Sequence, residues 1–228
     1  MFVKSYTATI HGVDAMTVAV EANVSPGIGM YLVGLPDGAV KESQDRIRSA
    51  VANCDLRMPG KRLVVNLAPA DVRKEGAAFD LPIAIAILAA SEQIADQRLG
   101  DYMVTGELSL DGAVKPVRGV LPIALAARDG GFRGVVVPTD NVPEAAVVRG
   151  IEVVGVDNLR QSAAFFDSRP DGSFDRTLGI TVLDPDDRRH DIFDGNGGFG
   201  FDPADPADSA DSAAPAAPDS PAGDYTED

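Results

Sequence analysis

The spacing of apolar and polar positions changes several times along the first 166 residues, and each change marks an element. Val3–Ile10 and Ala15–Ala22 alternate or cluster β-forming residues around His11-Gly12-Val13-Asp14, which predicts two strands joined by a tight turn. Ile28–Val33, entered through Pro26-Gly27, predicts a third strand. Val40, Ser43, Ile47, Val51 and Cys54 then recur at helical spacing behind Asp37, a suitable N-cap. The opposite face carries Lys41, Glu42, Asp45, Arg46 and Arg48, with Glu42 and Arg46 as an i,i+4 pair. That is an amphipathic helix made to pack on a sheet.

Pro59-Gly60 turns the chain into a strand over Arg62–Leu67, followed by the loop APADVRKEGAAF (68–79). Asp80 is predicted to cap the next helix, Pro82 sits where a missing N–H costs nothing, and Ile83–Ala90 is apolar all round. A strand near Tyr102–Thr105, a hairpin (LSLDGAVKP) turning at Asp111-Gly112 and a helix from about Arg118 to Gly130-Gly131, with Arg128 in its last turn, come next. Short strands at Gly134–Val137 and Glu152–Val154 and short helices near Val142 and Asn158 complete an α/β body of residues 1–166. From Asp167 the periodicity stops. Seven of the 16 prolines lie beyond Phe166, and DPADPADSADSAAPAAPDSPAGD repeats four residue types without an apolar face. Such a segment buries too little surface to offset its ordering entropy, so residues 167–228 are expected to form a flexible acidic linker. Leu178–Leu183 is the one stretch there able to form a strand or dock locally.

Charge sharpens this division. The chain of 228 residues carries a formal charge of −15. Residues 167–228 hold 15 Asp and one Glu against four Arg, a net of −12, which leaves the body at only −3. The longest apolar run, Leu81–Ala90, is half the roughly 20 residues of a membrane-spanning helix. No secretory signal opens the chain, and a lone cysteine, Cys54, suits a reducing cytoplasm, where the protein is expected to reside without membrane contact. Cys54 closes the apolar stripe of its helix and reads as a core thiol. His11 and His190 have no partners at metal-ligand spacing, so no metal site is expected. There is no G-x-x-x-x-G-K-[ST] phosphate loop; Gly60-Lys61 lacks its upstream glycine and hydroxyl. Gly27-Ile28-Gly29 reads as a turn and not as a dinucleotide site. Gly197–Asp202 is a single calcium-type repeat opening, and Asp184, Asp186 and Asp187 lack the glycine of a calcium loop. Lys61-Arg62 and Arg73-Lys74 flank one predicted strand, and the second pair sits in a loop opening on a helix N-terminus, which favours anions. These four cations are the candidate contacts to DNA or a partner, weighed against ordinary surface charge offset by Asp71, Glu75 and Asp80.

Three segments together carry more. VGLPDGAVKESQDRIRSA (33–50), NLAPADVRKEGAAFDLPIAIAIL (66–88) and TGELSLDGAVKPVRGVLPIALAAR (105–128) resemble the N-terminal domain of the ComM/YifB family of Mg-chelatase-like AAA+ ATPases, over about residues 1–165. The resemblance implies a Lon-protease-like fold of the ribosomal protein S5 domain 2-like type. It also implies a linker leading to an ATPase domain outside these residues, so that the chain reads as a fragment. ATP and Mg²⁺ are expected only for that absent domain, and no cofactor for this chain. Lon peptidases use a Ser–Lys dyad in which the lysine takes the serine proton. Aligned on Arg73–Asp80, Ala78 falls at the serine; counted from Thr105-Gly106-Glu107, Leu121 falls at the lysine. Neither side chain supplies that chemistry, so no catalytic residue is assigned and the chain is not expected to be an enzyme. ComM-type proteins act as ring-shaped, hexameric helicases that promote branch migration in natural transformation. By resemblance, this domain would serve ring assembly and DNA or partner engagement. Two alternatives stand beside it. One is a protein-interaction module without DNA contact, favoured by the body's small net charge. The other is a residual Lon-type serine hydrolase, for which Ser91 and Ser109 are the nearest serines and Lys115 the base nearest Ser109.

Overall fold

The computed structural model describes residues 1–167 and 178–185. In chain order the strands are β1 (Phe2–His11), β2 (Asp14–Ser25), β3 (Met30–Val33), β4 (Arg62–Ala68), β5 (Tyr102–Val104), β6 (Glu107–Leu108), β7 (Val114–Lys115), β8 (Gly134–Pro138), β9 (Glu152–Val156) and β10 (Thr181–Leu183). The helices are α1 (Gly38–Asn53), α2 (Asp80–Ala90), α3 (Val120–Asp129), α4 (Val142–Ala145) and α5 (Leu159–Phe166). Eight strands form one mixed sheet in the order β10-β9-β8-β5-β1-β2-β4-β3, and β6-β7 stand apart as a small hairpin. β1, β5, β8 and β9 run parallel, whereas β2 is antiparallel to both β1 and β4.

Alternation along the strands sorts side chains between two cores. Tyr102, Val104, Val136 and Val154 face α1, α2 and α5, while Met103, Val135, Val137 and Val153 face α3 and α4. Strands covered on both sides read as continuous apolar runs, and β8 and β9 are buried at every position. The β4–β3 edge is covered on one face only, whereas β2 lies between α2 and α3. Leu63, Val65 and Leu67 are buried there, and Glu21 and Asn66 bond each other on the open side at 2.9 Å.

Sequence logic accounts for the local joints. Asp37 caps α1 by accepting from the Val40 N–H at 2.8 Å, as predicted. Gly34, three residues earlier, takes a φ of +95°, and a Cβ there would lie 2.2 Å from the Leu67 carbonyl oxygen. Only glycine lets the chain cross β4 so closely. All of α2 is buried, which explains its lack of a polar face.

Several expectations need adjustment. The third strand starts at Met30, because Ile28 stands in the connecting turn, 87% exposed. The third helix begins at Val120, behind a left-handed Gly119. Asp80 does not cap α2; it is the first helical residue, and its carboxylate turns to Arg46 and the Leu108 N–H. Past residue 166, Thr181–Leu183 extends the body's sheet along β9. His190, the Gly197–Asp202 motif and the Asp186-Asp187 pair lie outside the described residues.

Candidate binding groove

A groove of about 750 Å³ opens where the end of β1, the loop after β4 and the approach to α3 converge. Its walls are Ala8–His11 of β1, residues 71–73 and 75–79 of the loop, Glu107 of β6, residues 116–118 and Ile123. The second half of the loop is held by bonds to two other segments. Gly106 N–H donates to the Ala78 carbonyl at 3.1 Å and Leu81 N–H to the Gly106 carbonyl at 3.0 Å, zipping the Thr105-Gly106-Glu107 segment to the start of α2. Asp37 accepts from the Gly76 N–H at 3.3 Å while capping α1, so one carboxylate ties the helix start to the loop.

Lys74 is the central strut of that loop, and its burial corrects its assignment as a surface contact. The residue is fully buried. Its N–H donates to the Leu35 carbonyl at 3.2 Å, its carbonyl accepts from the Asp37 N–H at 3.0 Å, and its Nζ donates to the Pro69 carbonyl. Burial pushes the ammonium below the usual lysine range, with the nearby Asp71 charge opposing. A long amphipathic stem packs inward here because its charged tip finds a carbonyl inside the loop.

The other three predicted cations are exposed but do not converge. Arg73 lines the groove and pairs with Glu75 at 3.0 Å. Lys61 and Arg62 stand at the opposite end of β4, roughly 20 Å away along seven residues of strand. There Arg62 stacks over Tyr31 at 5.2 Å, and Lys61 borders a smaller pocket of about 340 Å³ with Arg57 and Glu92. Sequence reasoning missed His11 and Arg118 as groove residues. Nothing in their local pattern marks them; the hairpin end and the approach to α3 meet only in the fold. Arg73 and Arg118 share the lining with Asp71, Glu75 and Glu107, so the groove carries both signs of charge.

Ala78 lines the groove directly. Leu121 lies in the first turn of α3, 36% exposed, with its N–H donated to Glu144 at 2.8 Å, and is not one of the groove's walls. Ser91 donates to the Ile87 and Leu88 carbonyls, and Ser109 to Asp111 and the Ala113 carbonyl; neither serine reaches the groove.

Beneath the groove, a buried ion pair locks α1 to α2. Arg46 Nε and Nη2 donate to Asp80 at 2.6 and 3.0 Å, and Leu108 N–H adds a third bond at 3.2 Å. Burial pushes the Asp80 carboxyl up by more than Arg46 pulls it down, while the carboxylate holds the Arg46 guanidinium above its ordinary value. The anticipated Glu42–Arg46 pair is a looser contact at 3.9 Å. A second polar cluster stands where β5 and β9 carry Tyr102 and Glu152: Glu152 accepts from Tyr102 and from Arg133 at 2.7 Å. Burial, then the Glu152 carboxylate, pushes the Tyr102 hydroxyl up to about 12.

The mixed sheet and its two helical layers make an α/β domain whose likeness to Lon proteases is one of sequence. In sequence, the chain is 24% identical to the archaeal Lon protease of Methanocaldococcus jannaschii over 137 residues, covering 60% of this chain and 21% of that protein. More closely, the family profile described as subunit ChlI of Mg-chelatase matches residues 20–141, and the chain belongs to that family. Its relatives include an uncharacterised protein of Mycobacterium tuberculosis, 46% identical over 159 residues (69% of this chain, 32% of that protein). YifB of Escherichia coli is 42% identical over 165 residues (72% and 32%). Competence protein ComM of Haemophilus influenzae is 46% identical over 144 residues (63% and 28%). The chain thus spans about a third of the length of these relatives. Among the described residues, no helix is long and apolar enough to cross a membrane.

Proposed function

We propose that this chain is the non-catalytic, Lon-like N-terminal part of a ComM- or YifB-type Mg-chelatase-like ATPase, and that it serves ring assembly and DNA or partner engagement. The observation that carries this reading is a groove kept open at about 750 Å³ around Ala78, at the position where a Lon serine would stand. A methyl group there offers binding space and no nucleophile. ATP and Mg²⁺ do not fit this site: the sequence holds no phosphate loop, the lining carboxylates Asp71, Glu75 and Glu107 repel phosphates, and among the described residues no three acidic side chains gather to hold a metal. Nucleotide chemistry belongs to whatever motor the full-length protein carries, and branch migration on DNA is the activity expected of that assembly in the cytoplasm.

The test is direct. The purified chain should hydrolyse no ATP, and an activated-phosphonate probe should label no serine; a saturable ATPase rate or a label lost on serine mutation overturns the reading. Sedimentation should show assembly into rings in the full-length protein. A second reading, a protein-interaction module without DNA contact, is favoured by the scatter of the exposed cations and the burial of Lys74. DNA affinity that falls steeply with salt would exclude it, because that slope reports counterions released from phosphates.

A further inference from the structure

The sheet face on which α3 packs is open beyond that helix. The core under α3 includes Ala8 and Met103, with Tyr6 and Ala15 half-buried at its margin. Residues paired across a sheet share a face, so the register sets out what lies past that margin. Phe2, Asn23, Val64 and Tyr31 form one row across β1, β2, β4 and β3. Lys4, Glu21, Asn66 and Val33 form the row beside it, and Ser25 with Arg62 begins a third. Two aromatic rings of the first row are exposed, Phe2 at 55% and Tyr31 at 49%. They stand roughly 14 Å apart, three strand spacings. Each has a cation over it, Lys4 at 5.7 Å from Phe2 and Arg62 at 5.2 Å from Tyr31. Glu21 is the one carboxylate in these rows, and it is taken up by Lys4 at 3.0 Å and Asn66 at 2.9 Å. At the end of the sheet Arg57 and Lys61 border the smaller pocket, opposed by Glu92 alone. Among the described residues, no ion pair engages Arg57, Lys61 or Arg62. A body whose net charge is −3 thus carries, at this end, a cationic patch beside two exposed rings.

We propose that this open face binds single-stranded DNA, with bases stacked on Tyr31 and Phe2 and phosphates held by Arg57, Lys61 and Arg62. The choice of DNA rests on the reading above that the domain engages DNA, and the contact it assigns lies away from the groove. Rings that accept any base, beside cations that follow the backbone, are the two parts such binding needs. A guanidinium stacked on a ring, as Arg62 is on Tyr31, presents a second plane on which a base can lie. Asn23 stands exposed in the same row, with an amide to offer a base edge. A duplex keeps its bases stacked on one another, whereas an unpaired strand can splay one onto each ring. A second copy of the chain seated face to face would set Arg57, Lys61 and Arg62 against their own like. The groove offers the strand no competing site, because Asp71, Glu75 and Glu107 repel phosphates there.

The test uses the full 228-residue chain and a fluorescein-labelled oligothymidylate of about 15 nucleotides, followed by anisotropy. Log affinity should fall with log salt at a slope of about −2, the value for three phosphates neutralised on a single strand. Tyr31→Ala and Phe2→Ala should each weaken binding about tenfold or more. Lys61→Ala with Arg62→Ala should flatten the slope by roughly 1.4, and Arg73→Ala, in the groove, should change neither quantity. The chain holds no tryptophan, so Tyr31→Trp installs a single reporter whose emission a stacked base quenches. That quenching should saturate together with the anisotropy, and it is the deciding measurement if Tyr31→Ala does not fold. An absence of binding at low salt overturns the proposal and leaves the non-catalytic reading and ring assembly standing. Binding lost with Arg73→Ala but kept with Tyr31→Ala assigns the DNA to the groove and overturns this face alone. A duplex bound as tightly, an RNA of the same length bound more tightly, or an unquenched reporter would each overturn it too. An ATPase rate or a labelled serine would instead overturn the non-catalytic reading and leave this face untouched.

Discussion

Replacing Arg46 with methionine should destabilise this domain by an amount that depends on pH in a defined way. Asp80 has no solvent exposure and three hydrogen-bond donors, two of them from Arg46. Methionine keeps the apolar stem and removes the charge, which leaves a buried carboxylate without its counter-ion. Removing one partner of such a pair costs about 3–5 kcal/mol. The variant has one escape, to bind a proton on Asp80. From an ordinary aspartate value near 3.9, protonation at about pH 7 costs roughly 4 kcal/mol, which sets the ceiling. Without Arg46, only the Leu108 N–H still opposes burial, and the native-state pKa rises further above the unfolded value. The neutral carboxyl's contribution is then complete below the unfolded pKa and lost as pH rises through the native one. The deficit of Arg46→Met should therefore shrink by about 1.4 kcal/mol per pH unit, reaching roughly 1 kcal/mol near pH 4.5. Urea unfolding followed by far-ultraviolet circular dichroism, parent against variant across that range, measures it. A deficit below about 1 kcal/mol at neutral pH, or one that stays flat as pH falls, would refute the argument. Arg46→Met with Asp80→Leu should recover most of the loss, since a well-packed apolar pair replaces buried ions at little cost.

Other consequences follow from single sites. Gly112 takes a φ of +88°, and a Cβ there would fall 2.3 Å from the Cys54 Sγ. Gly112→Ala should cost about 2 kcal/mol or more from backbone strain and the displaced thiol, and should raise the rate at which Cys54 is alkylated. In the parent, burial pushes the Cys54 thiol up, so native alkylation should be slow and should accelerate on adding urea. Tyrosinate absorbance should show Tyr102 ionising near pH 12, well after a free tyrosine. Because the native value lies above the unfolded one, Tyr102 stabilises the fold up to about pH 10 and that contribution fades as pH climbs toward the native value; Tyr102→Phe should flatten this alkaline loss. Hydrogen bonds from Asn66 and Lys4 hold Glu21 below the ordinary carboxylate range. Its stabilisation is present above that ordinary value and lost as pH falls through the native one, so Glu21→Gln should lose less stability on acidification than the parent.

Much of this architecture is written in local pattern. Alternation in β4, the Asp37 cap, the helical stripe ending in Cys54, the all-apolar α2 and the Asp111-Gly112 turn each follow from residues a few positions apart, which is the range over which propensity and amphipathicity act. The family segments were legible for the same reason: Gly34, Asp37 and Gly112 are backbone requirements that only particular residues meet. What the linear pattern left open is set by contacts between distant segments. Asp80 looked like a cap because its neighbours suit one, but Arg46, 34 positions earlier, offers it two charged donors, and a buried carboxylate takes the stronger partner. Lys74 looked like a surface cation because the Pro69 carbonyl that receives its ammonium is reached only when the loop folds back on itself. The groove is the fullest case. Its walls come from β1, the loop after β4, the β6–β7 hairpin and the approach to α3, which meet only in the folded chain. Spacing within the sequence records which residues suit a strand; which strand lies beside it, and where that neighbour departs, is settled only by the packing of the two helical layers.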